Sequence, residues 1–188
     1  MQFPGELNTQ AWTVYGQRQL TRAYMPPIPE RLNWTPWDGV GPGAEVLGDV
    51  TGQRVLDIGS GAGHHAVHLA QDHQAHVTGI EASPTQYQRA ASAHADVPGV
   101  EFVQGDVVDY LATVGPFDAA YAIGTLAFTD PYRALPALRG GLRPGAPLIL
   151  SLLHTDLHGQ GPSTTVEPRE QVILLRDDPP LPTQMWVC

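Results

Sequence analysis

The sequence contains no lysine; all ten basic residues among its 188 are arginines. A Schiff-base lysine, a pyridoxal phosphate anchor and the lysine of a Walker A phosphate loop are therefore excluded. Cysteine is almost absent as well, since the single one is the last residue, Cys188. That excludes internal disulfide frameworks, cysteine-based zinc sites and iron–sulfur clusters, and it permits a reducing compartment. Positive charge is scarce: nineteen acidic residues against ten basic ones give a formal net charge of −9. Such a balance opposes docking on nucleic acid phosphates or on anionic membranes. No run of eighteen apolar residues occurs, and the first ten residues lack a basic stretch followed by an apolar one. Neither a membrane span nor a secretory signal is legible. These absences point to a soluble, cytoplasmic chain whose partner is a small molecule, with no nucleic acid and no membrane involved.

What is present supports one folded unit, because 42% hydrophobic residues with 15% charged ones suffice for a core without disulfides or metals. From Val55 onward the chain repeats a short apolar run, a glycine or acidic turn, and a segment with helical spacing. That is the pattern of an α/β domain with a mainly parallel, doubly wound sheet. The spacing predicts strands at 54–58, 76–80, 100–104, 117–123 and 148–153, with helices between them. One helix starts after Ser83 as N-cap, with Pro84 at the first helical position and Gln86 at capping-box spacing. Another starts at Asp130-Pro131, and Pro136 is expected to kink or end it early. Residues 1–50 lie outside this pattern and carry Trp12, Trp34, Trp37 and Tyr15. Residues 154–188 are polar and proline-rich, with apolar runs only at 172–175 and 185–187.

The first strand runs straight into Gly59-Ser60-Gly61-Ala62-Gly63 and then a helix. Such a turn brings bare backbone amides and the positive end of a helix dipole against a ligand, at a place where a Cβ would block the approach. Glu81 closes the second strand, where a carboxylate can accept both hydroxyls of a ribose. Together the two imply a nucleotide-like ligand. A dinucleotide is disfavoured, because the position that should be the third glycine is His64 and because Asp57 would face a pyrophosphate. Asp57 suits a cationic ligand group instead.

The run from Val55 to Gly63 resembles the first motif of class I S-adenosylmethionine (SAM)-dependent methyltransferases. Gly79-Ile80-Glu81-Ala82-Ser83-Pro84 is similar to that family's acidic second motif, and Gly105-Asp106-Val107 to its third. Phe117-Asp118-Ala119-Ala120 and Gly141-Leu142-Arg143-Pro144-Gly145 are similar to later motifs, so five occur in order across residues 53–153. The resemblance implies a Rossmann-like class I methyltransferase fold, with residues 51–153 as the SAM-binding domain. It implies that Gly59, Ser60, Gly61 and Gly63 line the cofactor, that Glu81 holds the ribose with Ala82 beside it, and that Asp106 and Val107 meet the adenine. Asp57 and the carbonyl of Gly124 are placed near the methionine ammonium. The implied chemistry is SN2 transfer of a methyl group from a sulfonium to a small-molecule acceptor such as a specialised metabolite, at oxygen, nitrogen or carbon, yielding S-adenosylhomocysteine (SAH).

The acceptor side has its own candidates. Trp12, Tyr15, Trp34 and Trp37 suit an aromatic lid built from residues 1–50, or else they cover a helix face. His154, Asp156 and His158 alternate just beyond the fifth strand, so they are candidates for substrate contact, with His154 as the base; polar loop residues are the alternative. His64 and His68 stand one helical turn apart, but no third ligand is evident, and no metal is expected. The family normally adds a C-terminal helix and antiparallel strands, which residues 154–188 are expected to lack; the chain reads as a truncated form with an open fifth-strand edge suited to a homodimer. Two rival readings remain: a SAM-binding chain without turnover, and an NAD-dependent oxidoreductase.

Overall fold

The computed structural model describes residues 4–152, 164–173 and 179–187. Helix α1 (Pro4–Thr21) precedes a long irregular stretch that ends in a 3₁₀ turn at Ala44–Leu47. The chain then alternates β1 (Arg54–Ile58), α2 (His64–His73), β2 (His76–Glu81), α3 (Pro84–Ala93), β3 (Val100–Gln104), α4 (Val107–Leu111) and β4 (Ala119–Ile123). A 3₁₀ turn at Leu126–Phe128 leads into α5 (Pro131–Gly141) and β5 (Leu148–Ser151), followed by β6 (Glu167–Ile173) and β7 (Leu181–Val187).

The first five strands form one parallel sheet in the order β3-β2-β1-β4-β5. Central strands β1 and β4 read as nearly continuous apolar runs because both faces of the sheet are covered. On one face Val55, Val77 and Tyr121 pack with Ala66 and Leu69 of α2 and with Trp34 and Leu47 from the N-terminal stretch. On the other, Leu56, Ile58, Ile80 and Ala122 pack with Leu111 of α4 and Leu138 of α5. The winding reverses after β3, so a crevice opens between the carboxyl ends of β1 and β4, the position at which doubly wound sheets bind ligands.

Local rules explain the element boundaries near that crevice. Ser83 caps α3, its hydroxyl accepting from Gln86 N at 3.3 Å, and Pro84 begins the helix. The reciprocal arm of a capping box is not made, because Ser83 N donates to Glu81 Oε1 at 2.8 Å instead. Asp106 caps α4 by accepting from Val108 N at 2.8 Å, and Asp130 caps α5 by accepting from Tyr132 N at 2.9 Å.

Several expectations are corrected. Helix α5 runs on past Pro136 to Gly141 rather than ending at it. Strand β4 begins at Ala119 rather than Phe117, which makes only an isolated bridge to Leu142. The antiparallel strands expected to be missing are present as the β6–β7 pair, a separate two-stranded sheet. Composition concealed them, but β7 buries every second residue, Leu181, Thr183 and Met185. Pro182 occupies an exposed position on a strand with one neighbour among the described residues, where an edge strand tolerates its missing N–H. Among the described residues no helix follows β5, and no helix is long and apolar enough to cross a membrane.

Candidate functional site

The turn after β1 is built for close approach. Gly59 and Gly61 have φ of +69° and +56°, the left-handed region, and the amides of Gly59 and Ser60 both donate to Ile80 O, at 2.8 and 3.1 Å. The turn is thereby pinned to the end of β2. Gly61 N donates to Glu81 Oε2 at 2.9 Å, while Ser83 N takes the other carboxylate oxygen. Glu81 is buried, and burial raises its pKa, opposed by the amides of Ser83, Gly61 and Ala82. Each oxygen keeps acceptor capacity beyond the amide it already holds.

Above this turn lies a cavity of about 880 Å³. Gly59, Gly61, Glu81, Ala82, Asp106 and Val107 line one end of it, with Gly124 beside them. Gly124 has φ +68°, and a Cβ added there would meet nothing within 4 Å, so the backbone faces open space. The lining also includes α1 through Asn8 and Trp12, Phe128, and Trp186 of β7. Trp12 meets Phe128 edge to face, with ring centroids 5.4 Å apart. The buried Asn8 fastens this roof: its amide donates to Phe128 O at 2.9 Å and Gln184 O at 2.7 Å, and its oxygen accepts from Gln184 N at 2.8 Å.

A second cavity of about 310 Å³ shares Gly59, Gly61, Gln86 and Ile123 with the first and is lined in addition by Asp57, Ser60, Tyr15, His64 and Arg89. Asp57 is buried opposite Tyr121 in the β1–β4 ladder. Burial pushes its carboxyl up to about 7, the Tyr121 hydroxyl opposes that rise, and the Glu81 charge adds to it. Burial likewise holds His64 down to about 4 and His65 to about 3, so both imidazoles are neutral near pH 7.

The structure thus brings eleven of the sequence candidates to these two cavities: Asp57, Gly59, Ser60, Gly61, Glu81, Ala82, Asp106, Val107, Gly124 and Trp12, and Tyr15 at the smaller one. It places three elsewhere. Gly63 (φ +82°) lines neither cavity; a Cβ there would run into Phe102, so this glycine serves the contact of α2 with β3. Trp34 is a core residue, 6% exposed, whose indole donates to Gly43 O at 3.0 Å and packs edge-on against Tyr121. Trp37 is 67% exposed and away from both cavities. His154, Asp156 and His158 lie outside the described residues. Sequence reasoning missed Asn8, Phe128, Arg89 and Trp186; for Trp186 the short apolar run at 185–187 was the only signal. Among the described residues no group of three or more His, Cys, Asp or Glu side chains gathers to hold a metal ion.

A parallel sheet carrying a glycine turn, an amide-fixed carboxylate and a buried acid at its switch point defines a Rossmann-like class of domain. Residues 55–145 match a family model described as a methyltransferase domain. An O-methyltransferase, rstn1, of Aspergillus nomiae is 35% identical over 143 residues, covering 74% of this chain and 62% of that protein. A tRNA U34 carboxymethyltransferase of Methylococcus capsulatus is 30% identical over 126 residues, covering 65% of this chain and 37% of that protein. The crystal structure of the [4+2]-cyclase SpnF superposes with a TM-score of 0.63 at 22% identity, over 85% of this chain and 64% of that one, and shows the fold. The match and the relatives support a class I SAM-dependent methyltransferase domain at residues 55–145. The chain spans less than two thirds of the length of these curated relatives.

Proposed function

We propose that this chain binds SAM in the continuous space formed by the two cavities and transfers its methyl group to an oxygen of a small-molecule acceptor. The observation that carries the reading is the Glu81 carboxylate, fixed by the amides of Gly61 and Ser83 at the end of the larger cavity that also contains Asp106. Bound there, the cofactor would supply an electrophilic methyl on a sulfonium, for an acceptor already deprotonated at oxygen, with SAH as the leaving group.

The residues of the chain act by binding, placing and excluding water. Glu81 accepts from the ribose hydroxyls with its remaining lone pairs. Asp106 and Val107 meet the adenine, Gly59 and Gly61 let the backbone approach, and Asp57 with the Gly124 carbonyl answers the ammonium. Trp12, Phe128 and Trp186 enclose the acceptor and keep solvent from the sulfonium. The O-methyltransferase relatives support oxygen as the acceptor atom. A net charge of −9 and the roof over the cavity support a small acceptor over tRNA. The low cysteine content supports a cytoplasmic setting, and the outer edge of β5, unpaired among the described strands, supports a homodimer.

The test has two stages. Calorimetric titration with SAH should give micromolar binding, and NAD should give none. Incubation with methyl-labelled SAM and a panel of phenols, enols and carboxylic acids should then label a product. Failure to bind SAH sinks the whole reading, and SAH binding without transfer to any acceptor leaves a cofactor-binding chain without this turnover.

A further inference from the structure

Arg89 of α3 is 5% exposed and lines the smaller cavity. Its Nη1 donates to Gln86 Oε1, its Nη2 donates to Tyr24 O at 3.0 Å, and its buried Nε has no hydrogen-bond partner. Among the described residues no carboxylate lies within ion-pair distance of it. A guanidinium carries five N–H donors, so at least the Nε–H and one hydrogen on each terminal nitrogen remain for a ligand. A buried cation without a counter-charge is costly, and burial accordingly lowers the pKa of Arg89. Neither neighbouring imidazole competes for an anion, because His64 and His65 are neutral.

The surroundings say which anion would complete the site. The smaller cavity holds one buried acid, Asp57, and one buried guanidinium, Arg89, and it shares Gly59 and Gly61 with the cavity of Glu81 and Asp106. An acid and a guanidinium lining one small space match the two charges of an α-amino acid. We propose that Arg89 binds the α-carboxylate at the amino-acid end of the cofactor, through the Nε–H and Nη fork left free by Gln86 and Tyr24. This rests on the reading of the larger cavity as a SAM site and extends it to a residue outside the motif-bearing turns. The contact would also couple ligand binding to the N-terminal stretch, since the same guanidinium holds the backbone of Tyr24.

The experiment compares two nucleosides on the unmodified chain and on Arg89→Leu and Arg89→Lys: SAH, and 5′-methylthioadenosine, which lacks the amino-acid carboxylate and ammonium. Arg89→Leu should lower SAH affinity on the order of 10- to 100-fold while leaving 5′-methylthioadenosine affinity within about twofold. Arg89→Lys should recover part of the loss, because it restores the charge without the fork. Equal losses for both nucleosides in both variants would overturn the proposal in favour of a packing role, and unchanged SAH affinity in Arg89→Leu would overturn it outright. If the unmodified chain binds both nucleosides equally, this proposal fails and the SAM site stands. If it binds neither, both fall together.

Discussion

Glu81 and Gly61, twenty positions apart in the chain, are joined by a 2.9 Å hydrogen bond from the Gly61 amide to Oε2. The carboxylate that would receive the ribose therefore also holds the glycine turn in shape. Its other oxygen does the same for the start of α3 through Ser83 N. One buried side chain positions both the glycine turn and the start of α3.

Replacing Glu81 should consequently do more than remove ligand bonds. Glu81→Ala leaves two backbone amides, those of Gly61 and Ser83, without acceptors and opens a gap between the turns. Expected are a loss of SAH affinity on the order of 10- to 100-fold or more and a destabilisation of about 1–3 kcal/mol. Calorimetry and urea unfolding check the two effects separately. Unchanged SAH affinity would remove Glu81 from the site.

Binding should depend on pH through Asp57. Its carboxyl is pushed from 3.8 up to about 7, by burial first, against the Tyr121 hydroxyl and with the Glu81 charge. The folded chain therefore retains a proton that the unfolded chain has released. Stability from this group is fully present below 3.8 and is lost as pH rises through about 7. A ligand ammonium reverses the preference by stabilising the ionised carboxylate, so SAH affinity should rise between about pH 6 and pH 8 with proton release on binding. Titrations in two buffers of different ionisation enthalpy measure the released proton, and Asp57→Asn should abolish most of it.

The half of the site that was legible in the sequence is the half made by contiguous residues. Strand β1 with its glycine turn, Glu81 at the end of β2, and Ser83-Pro84 follow from steric and capping rules that act within a few residues. The roof was illegible because its parts meet only in three dimensions. Asn8 and Gln184 are 176 positions apart, and β7 contains Pro182 and polar residues that mask its period-two burial. Arg89 gave no signal either, since an arginine on an amphipathic helix ordinarily faces water. Trp34 and Trp37 misled in the opposite direction, because composition alone cannot distinguish a lid tryptophan from a core one.

That last distinction is measurable. Trp34 fills the space beside Tyr121 under the sheet, so Trp34→Ala should destabilise by about 3–5 kcal/mol. Trp37 is exposed, and Trp37→Ala should shift stability by no more than about 0.5 kcal/mol with no change in SAH affinity. Denaturant melts of the two variants decide it. A change in SAH binding in Trp37→Ala would reinstate that residue as part of a lid.

The roof should be separable from the cofactor end. Asn8 makes three hydrogen bonds that tie α1 to Phe128 and to β7, and all three are side-chain to backbone, so Asn8→Ala strands two carbonyls and one amide. The expected cost is about 1–3 kcal/mol of stability. Trp186→Ala removes a wall without touching that clamp, because Asn8 bonds only the backbone of Gln184. With an acceptor in hand, Trp186→Ala should raise the acceptor KM several-fold while SAH affinity stays within about twofold, since the nucleoside end is lined by other elements. A parallel fall in SAH affinity would instead mean that β7 shapes the whole cavity, and that the acceptor and cofactor ends do not act as separate sites.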